Sequence, residues 1–163
     1  MFEIKNVEVK EVDFLAEKAG EVWREIYYPL VGEGMTDYMI EKVQSAHAIK
    51  DQIENQGYEY YWPMLDGERA GFFAMYPRDD MMYISKFYLF KDFRGKRLSF
   101  KMMDFVKSEA RARGLKGVFL NVNKKNERAI KAYGRLGLTR LRDEEEDVGQ
   151  GYRTNDYIMG VYF

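Results

Sequence analysis

The sequence predicts a mixed α/β domain in which a central sheet of about seven strands packs against about four helices, in the order βααβββαβαββ. Two observations carry this prediction. Apolar residues alternate with polar residues in the strand-like segments, and they recur every three to four residues in the helix-like segments. Glycine, proline and aspartate separate these segments. The chain has 163 residues, which we interpret as a single domain, 1–163, that can bury a sizeable core.

The first part of the chain predicts one strand and two helices. Residues 2–9 alternate apolar and charged side chains, which is typical of a half-buried strand. Helical spacing covers 12–28, and we expect Pro29 to end that helix. A loop is predicted over 30–35. A Thr-Asp pair then offers a cap for a second helix over about 36–54.

Three strand-like runs follow and predict an antiparallel meander. An Asp-Gly pair at 66–67 and a Pro-Arg-Asp-Asp segment at 77–80 separate the runs, and both favour turns. The predicted strands are 58–65, 69–76 and 81–89.

The last part of the chain alternates helices and strands. A helix over 98–112 leads to a short buried strand over 118–122, which lies parallel to 81–89 if the helix is a right-handed crossover. Asn126 caps the next helix, which we expect to end at Gly137. The final strands are 138–142 and 157–163, and a polar loop is predicted to join them.

Composition narrows the classes of function. Lys and Arg number 26 against 27 Asp and Glu, so no domain-wide field attracts nucleic acid or an anionic membrane. Neither a membrane span nor a signal peptide is recognisable, and we expect a cytoplasmic protein. Because the chain has no Cys and one His, we expect no metal site and no cysteine nucleophile. The 13 Tyr and 10 Met indicate a lined pocket or an interface, such as that of a homodimer.

The junction between the predicted strand 81–89 and the following helix has the features of an anion site. The first N–H groups of a helix lack intrahelical partners, and the helix dipole is positive there, so phosphate oxygens can bind. A solvated basic cap is the alternative on these residues alone. The junction comprises Arg94, Gly95, Lys96, Arg97, Leu98 and Ser99.

A second motif lies downstream of this loop and comprises Asn126, Ala129, Tyr133 and Gly137. Together the two motifs resemble those of the GCN5-related N-acetyltransferase (GNAT) superfamily. Its phosphate loop reads Gln/Arg-x-x-Gly-x-Gly/Ala, and its later helix reads Asn-x-x-Ala-x-x-x-Tyr-x-x-x-Gly-Phe. Arg94 matches the first loop position, whereas Arg97 and Ser99 depart from the loop pattern. The helix pattern is matched by Asn126, Ala129, Tyr133 and Gly137.

The predicted element order is also that of the superfamily, so the resemblance covers nearly the whole chain and implies the GNAT fold. Short segments at 27–29, 121–123 and 149–152 further resemble the PaiA-type polyamine acetyltransferases. The resemblance implies an enzyme that transfers an acetyl group from acetyl-CoA to a primary amine of a small molecule, with polyamines as the first candidates.

The resemblance also implies roles for individual residues. The loop 94–99 and Asn126 bind acetyl-CoA, and the backbone of Leu89 contacts its pantetheine arm where two strands splay apart. Tyr133 protonates the leaving thiolate, while Asn126 either bonds the donor's amide arm or positions the tyrosine. Because no cysteine is available to carry an acyl group, we expect direct attack in a ternary complex.

The acceptor amine must lose a proton, which costs about 4.6 kcal/mol at pH 7 for a pKa of about 10.4. The candidate bases are Glu25, Glu59 and Asp80, or a water chain ordered by tyrosines. The candidate substrate-binding residues are Tyr28, Tyr38, Glu59 and Tyr60. The acidic run 143–147 and the pair 155–156 either attract a polycation or form a solvated hairpin.

Two other functions stay open. The departures at Arg97 and Ser99 suit a catalytically weak acetyl-CoA-binding sensor or regulatory module. Acetylation of a protein or peptide amine is the other alternative.

Overall fold

The computed structural model describes all residues from 1 to 163, in five helices and eight strands. Short 3-10 turns also occur at Val9–Glu11 and Lys91–Phe93. The elements in chain order are β1 (Phe2–Asn6), α1 (Val12–Val31), α2 (Glu33–Val43), α3 (Ala46–Asn55), β2 (Glu59–Leu65), β3 (Glu68–Arg69), β4 (Gly71–Arg78), β5 (Met81–Leu89), α4 (Leu98–Ala112), β6 (Gly117–Asn123), α5 (Glu127–Arg135), β7 (Thr139–Gly149) and β8 (Tyr152–Tyr162).

The mixed α/β class is confirmed, with one helix and one strand more than the four and about seven predicted. Hydrogen bonds order the strands β1-β2-β4-β5-β6-β8-β7, and β3 pairs with β2. Strands β5 and β6 are parallel, with Met82 opposite Val118, so α4 is the crossover that the sequence predicts. The predicted bounds of β5 and α4 agree with the structure.

The first helix is longer than predicted. Pro29 does not end α1, which continues to Val31 and stops at Gly32, where φ is 86°. In the last turn of a helix a proline removes a single backbone donor, and Gly32 N–H still bonds Tyr28 O at 3.1 Å. Helix α2 begins directly afterwards, in the segment predicted as a loop.

The predicted second helix is two helices. Gln44 caps the end of α2, and the Ser45 side chain accepts a hydrogen bond from Ala48 N–H at 3.2 Å to begin α3. Continuous helical spacing concealed this cap in the sequence. At the N-terminus, β1 ends at Asn6 rather than continuing to Val9, which starts a 3-10 turn.

The acidic stretch predicted as a loop is instead part of a long hairpin of β7 and β8. The pairing runs from Thr139 opposite Gly160 to Gly149 opposite Tyr152. The turn residues Gln150 and Gly151 both have positive φ (55° and 81°), as a two-residue type I′ turn requires. Cross-strand backbone bonds therefore outweigh the low strand propensity of acidic residues.

The chain divides into two compact units. Unit 1 comprises 1–74 and 86–94, and unit 2 comprises 75–85 and 95–163. The single-domain prediction remains a prediction.

None of the helices combines the length and hydropathy needed to cross a bilayer.

The core of unit 1 contains side chains of α1, α3, β2 and β4. Leu15, Ile49 and Phe72 are fully buried in one cluster with Trp62. This packing matches the helical spacing in α1, where the buried positions recur along one face.

One lysine is buried in this unit without a carboxylate partner. Lys86 Nζ donates to Val43 O at 2.6 Å and to the Oε1 atoms of Gln44 (3.1 Å) and Gln52 (3.0 Å), and it also bonds the Tyr60 hydroxyl. Val43 ends α2, so Lys86 ties the α2–α3 junction to β5. Burial lowers the pKa of the Lys86 amine well below its usual 10.5.

In unit 2, α4 packs on β6, and the α4 residues Leu98, Met102 and Val106 are buried. Close strand contacts require small residues. A Cβ at Gly117 would lie 2.2 Å from Val161 O and 2.9 Å from the Met81 side chain.

Gly117→Ala should therefore lower the free energy of unfolding by roughly 1–3 kcal/mol, because backbone atoms must move. Gly134→Ala is the control: this helical glycine has nothing within 4 Å of the new Cβ, and the change should raise stability by up to about 1 kcal/mol. Urea unfolding measures both. Equal stability of the two variants would contradict the close strand contact.

The buried amine predicts a pH dependence of stability. The pKa of Lys86 is lowered on folding, so the unfolded chain binds more protons between the folded pKa and 10.5. The unfolding free energy of the wild type, relative to Lys86→Met, should therefore increase as the pH rises through this window, by up to about 1.4 kcal/mol per pH unit. Urea unfolding at pH 7.5 to 9.5 tests this, and Lys86→Gln should give the same trend. A flat difference would mean that the amine is solvated.

Candidate active site

The junction before α4 presents free helix N–H groups to a ligand. Gly95 and Arg97 have positive φ values of 79° and 61°. Arg97 is the N-cap residue of α4, and no side chain caps the helix there. The first N–H groups of α4 therefore have no side-chain cap, and binding of an anion there stays a prediction. Lys96 is exposed beside them, Ser99 is half-buried and Leu98 belongs to the core.

Arg97 occupies the position where the GNAT pattern has glycine. A non-glycine residue in the left-handed region costs on the order of 1 kcal/mol, and this strain lies within the predicted phosphate loop. The guanidinium lies over the Phe100 ring, 4.6 Å from its centroid. The side chain therefore packs along the first turn of α4 and keeps its charge near the loop.

Helix α5 begins at the predicted cap. Asn126 Oδ1 accepts a hydrogen bond from Ala129 N–H at 3.2 Å, so the capping prediction is confirmed. Tyr133 lies nearly two turns further along and is half-buried. Its carbonyl accepts from Leu138 N–H at 3.1 Å, and Gly137 has a φ of 94°, which ends the helix. The cap occupies Oδ1 of Asn126, which leaves its Nδ2 as the donor for a ligand.

The carboxyl end of β5 is held by an arginine. The Arg94 Nη1 and Nη2 atoms bond the Glu25 carboxylate at 2.6 and 3.0 Å, and Nε donates to Leu89 O at 3.0 Å. Arg94 thus connects α1, the end of β5 and the start of the loop. The backbone carbonyl of Leu89, the residue predicted to contact pantetheine, is engaged by this side chain.

A polar network, which we call the acidic face, lies in unit 2. The Tyr83 hydroxyl donates to Asn121 Oδ1 at 3.0 Å, and Asn121 Nδ2 donates to Glu144 Oε2 at 2.6 Å and Asp156 Oδ2 at 3.4 Å. Glu144 stands directly opposite Asp156 in the hairpin. These four residues come from β5, β6, β7 and β8, and together they form the acidic face.

The pKa of Asp156 is raised to about 6, chiefly by burial and also by the charges of Glu144 and Glu146, whereas the hydrogen bond from Asn121 and the charge of Lys124 oppose the shift. Neither Glu144 nor Asp156 forms an ion pair with a lysine or arginine. A protonated amine beside them would be stabilised by both carboxylates. No group of His, Cys, Asp and Glu side chains has a metal-binding arrangement.

The predicted substrate tyrosines of the first helices each have a partner. The Tyr28 hydroxyl donates to Asp37 Oδ1 at 2.6 Å, a bond that raises the pKa of the phenol. The Tyr38 ring lies 5.8 Å from Lys42 Nζ.

The other two predicted substrate residues lie on β2. Glu59 accepts a hydrogen bond from the Tyr61 hydroxyl at 2.9 Å. Tyr60 is 3% exposed, and its hydroxyl bonds Lys86 and Gln52 in the core of unit 1. The structure thus gives Tyr60 a packing role.

Two of the three predicted bases have cationic partners. Glu25 pairs with Arg94, and Asp80 lies 3.5 Å from Lys116 Nζ.

The sequence did not single out Tyr83 and Asn121 as a pair. The parallel pairing of β5 with β6 places Tyr83 opposite Phe119, and Asn121 projects from the same face two residues later. Assigning the register of β5 against β6 from the sequence would have indicated that these two side chains lie together.

Comparison with known proteins accords with this geometry. The sequence pattern of the acetyltransferase (GNAT) family matches residues 20–138. Among functionally characterised proteins, none matches the chain at a significant level by sequence alone.

Solved structures share the fold at low identity. PaiA N-acetyltransferase from Thermoplasma acidophilum, in complex with coenzyme A, has a TM-score of 0.77 and 17% identity over 100% of this chain and 99% of that chain. Ribosomal-protein-S18-alanine N-acetyltransferase from Escherichia coli has a TM-score of 0.70 and 16% identity, over 99% of this chain and 94% of that chain. Spermidine N-acetyltransferase from Vibrio cholerae, in complex with CoA and spermine, has a TM-score of 0.69 and 12% identity, over 99% of this chain and 95% of that chain.

At these identities the structural matches show the fold, and the family match covers more than half of the chain. With the open α4 N-terminus and the capped α5 in place, the chain belongs to the GNAT acetyltransferase family, whose enzymes use acetyl-CoA as the acetyl donor.

Proposed function

We propose that this enzyme acetylates a primary amine of a small molecule, with polyamines as the first candidates, by direct attack in a ternary complex. The observation that carries the proposal is the acidic face, where Glu144 and Asp156 share one amide and have no ion-pair partner. Such a face favours a substrate with several ammonium groups. The similar Vibrio cholerae spermidine N-acetyltransferase, with spermine bound, supports this substrate class.

The donor would bind at the junction before α4. The first N–H groups of that helix donate hydrogen bonds to the pyrophosphate oxygens, and Lys96 and Arg97 add positive charge beside them. A backbone group of Leu89 contacts the pantetheine arm. These residues fit a diphosphate because the helix end is uncapped by any side chain.

Asp156 is the proposed proton acceptor for the ammonium. Its pKa of about 6 leaves it ionised at neutral pH, and this value lies closer to that of an amine than the ordinary 3.8 does. The proton passes to the carboxylate, the neutral nitrogen attacks the thioester carbonyl carbon, and the carbon–sulfur bond breaks. Tyr133 then gives its hydroxyl proton to the departing thiolate, and the second proton, which the acylated nitrogen loses as it becomes an amide, returns through water to the tyrosinate.

Asn126 has the supporting role in this scheme. Its Oδ1 caps α5 and so fixes the helix that carries Tyr133, while its Nδ2 is available to the amide arm of the donor. Both alternatives that the sequence left open are compatible with this geometry.

A peptide amine is the second acceptor class, because the ribosomal-protein-S18-alanine N-acetyltransferase of Escherichia coli shares the fold. Release of free thiol from acetyl-CoA, measured against spermidine, spermine, amino acids and peptides, separates the two classes. No turnover with any amine, together with coenzyme A binding, would instead favour the sensor function.

Tyr133→Phe should lower kcat by roughly 10²-fold, because the leaving thiolate loses its acid, while the affinity for coenzyme A stays unchanged. Steady-state kinetics and calorimetric titration measure the two quantities. Tyr162→Phe is the control, since this exposed tyrosine lies at the end of β8. An unchanged kcat in Tyr133→Phe would contradict the acid role.

The role of Asp156 predicts a pH dependence of turnover. In the wild type, kcat/KM for the amine should rise through an apparent pKa of about 6 as Asp156 ionises. Asp156→Asn should lower kcat/KM and remove that limb of the profile. Asp104→Asn, at an exposed position of α4, should retain it. A limb near pH 6 that persists in Asp156→Asn would assign the proton acceptor to another group.

A further inference from the structure

We propose that Glu25 is a positioning residue for donor binding: it holds Arg94 so that this one side chain fixes both the end of β5 and the start of the loop before α4. The inference rests on the proposed donor site at that loop. It assigns a role in coenzyme A affinity to a residue of α1, far from the loop in sequence.

The geometry of the three groups is specific. Both terminal nitrogens of Arg94 bond the Glu25 carboxylate, at 2.6 and 3.0 Å, and Nε bonds Leu89 O at 3.0 Å. The planar guanidinium makes this fork in one rigid unit, which a lysine cannot reproduce. The Arg94 side chain is only 21% exposed, so the arrangement is partly shielded from water.

Gly95, the next residue in the chain, has no comparable anchoring contact on the side where a Cβ would lie. No atom lies within 4 Å of the position that a Cβ would take at Gly95, whose φ is 79°. On the side of this Cβ position, therefore, packing does not hold Gly95. The Arg94 anchor then determines where the loop leaves β5, and a preorganised loop lowers the ordering cost of ligand binding.

The Glu25–Arg94 pair also keeps the guanidinium from binding the diphosphate directly. Glu25 neutralises the guanidinium and occupies both of its terminal nitrogens. Attraction of the diphosphate then falls to Lys96, Arg97 and the helix N-terminus. Arg94 positions the site, and its own charge is directed at Glu25.

If Arg94 instead bound phosphate directly, removing the charge of Glu25 would have the opposite effect on coenzyme A affinity. If Glu25 competed with phosphate for the guanidinium, removing the carboxylate charge would release Arg94 and strengthen donor binding. The sign of the effect of Glu25→Gln therefore separates the two roles.

Unit 1 offers a matched control. Glu11 and Arg69 form another partly exposed ion pair there, with side-chain exposures of 17% and 39%. Glu11→Gln removes a similar interaction, and a general loss of stability would affect donor binding equally in both variants.

The experiment is calorimetric titration of coenzyme A into the full-length wild type, Glu25→Gln, Arg94→Lys, the double variant and Glu11→Gln. We expect about a tenfold rise in Kd for Glu25→Gln, the size typical of losing a charge-assisted hydrogen bond. Arg94→Lys should match it although the charge is kept, and the double variant should be no weaker than Arg94→Lys alone. Glu11→Gln should bind like the wild type.

An unchanged or lower Kd in Glu25→Gln would overturn the inference, and so would an equal rise in Glu11→Gln. Absence of coenzyme A binding by the wild type would overturn the donor site together with it. Disproof of the proposed catalytic roles of Tyr133 or Asp156 would leave the titration result unaffected, because the titration measures donor binding alone.

Discussion

The parallel pairing of β5 with β6 is the constraint on which the rest of the structure depends. Parallel strands cannot be joined by a tight turn, so the chain must cross the sheet between them, and α4 makes that crossing. The N-terminus of α4 therefore lies just after the carboxyl end of β5. The same pairing places Tyr83 and Asn121 on one face, where they form part of the acidic face. The proposed donor site and the acidic face thus both depend on this one strand pair.

Charge is organised locally in this chain, although its sum is close to zero. The net charge is −1, yet basic residues cluster at the junction before α4 and carboxylates cluster along β7 and β8. Lys124, just after β6, pairs with Asp143, and Arg153 of β8 pairs with Glu145, which limits repulsion along β7. Composition alone could exclude a domain-wide field but could not reveal these local ones.

Most of the fold was predictable because its elements have strong local signals, whereas tertiary contacts determined the rest. The helix α4 and strand β5 were predicted with their observed bounds. The Ser45 cap was hidden by continuous helical spacing. The acidic part of β7, 143–147, was unrecognisable because its partner strand, not its propensity, makes it a strand. The fork from Arg94 to Glu25 joins residues distant in sequence, so no local pattern could indicate it.

The unpaired carboxylates of the acidic face have a consequence for the end of the reaction. An acetylated nitrogen is neutral at every physiological pH, so in the proposed reaction it would lose the attraction that brings the ammonium to Glu144 and Asp156. The face would therefore discriminate against its own product, and departure of the amide needs no separate opening step. A polyamine that keeps a second ammonium would still be retained by that group, which favours successive modification of one molecule.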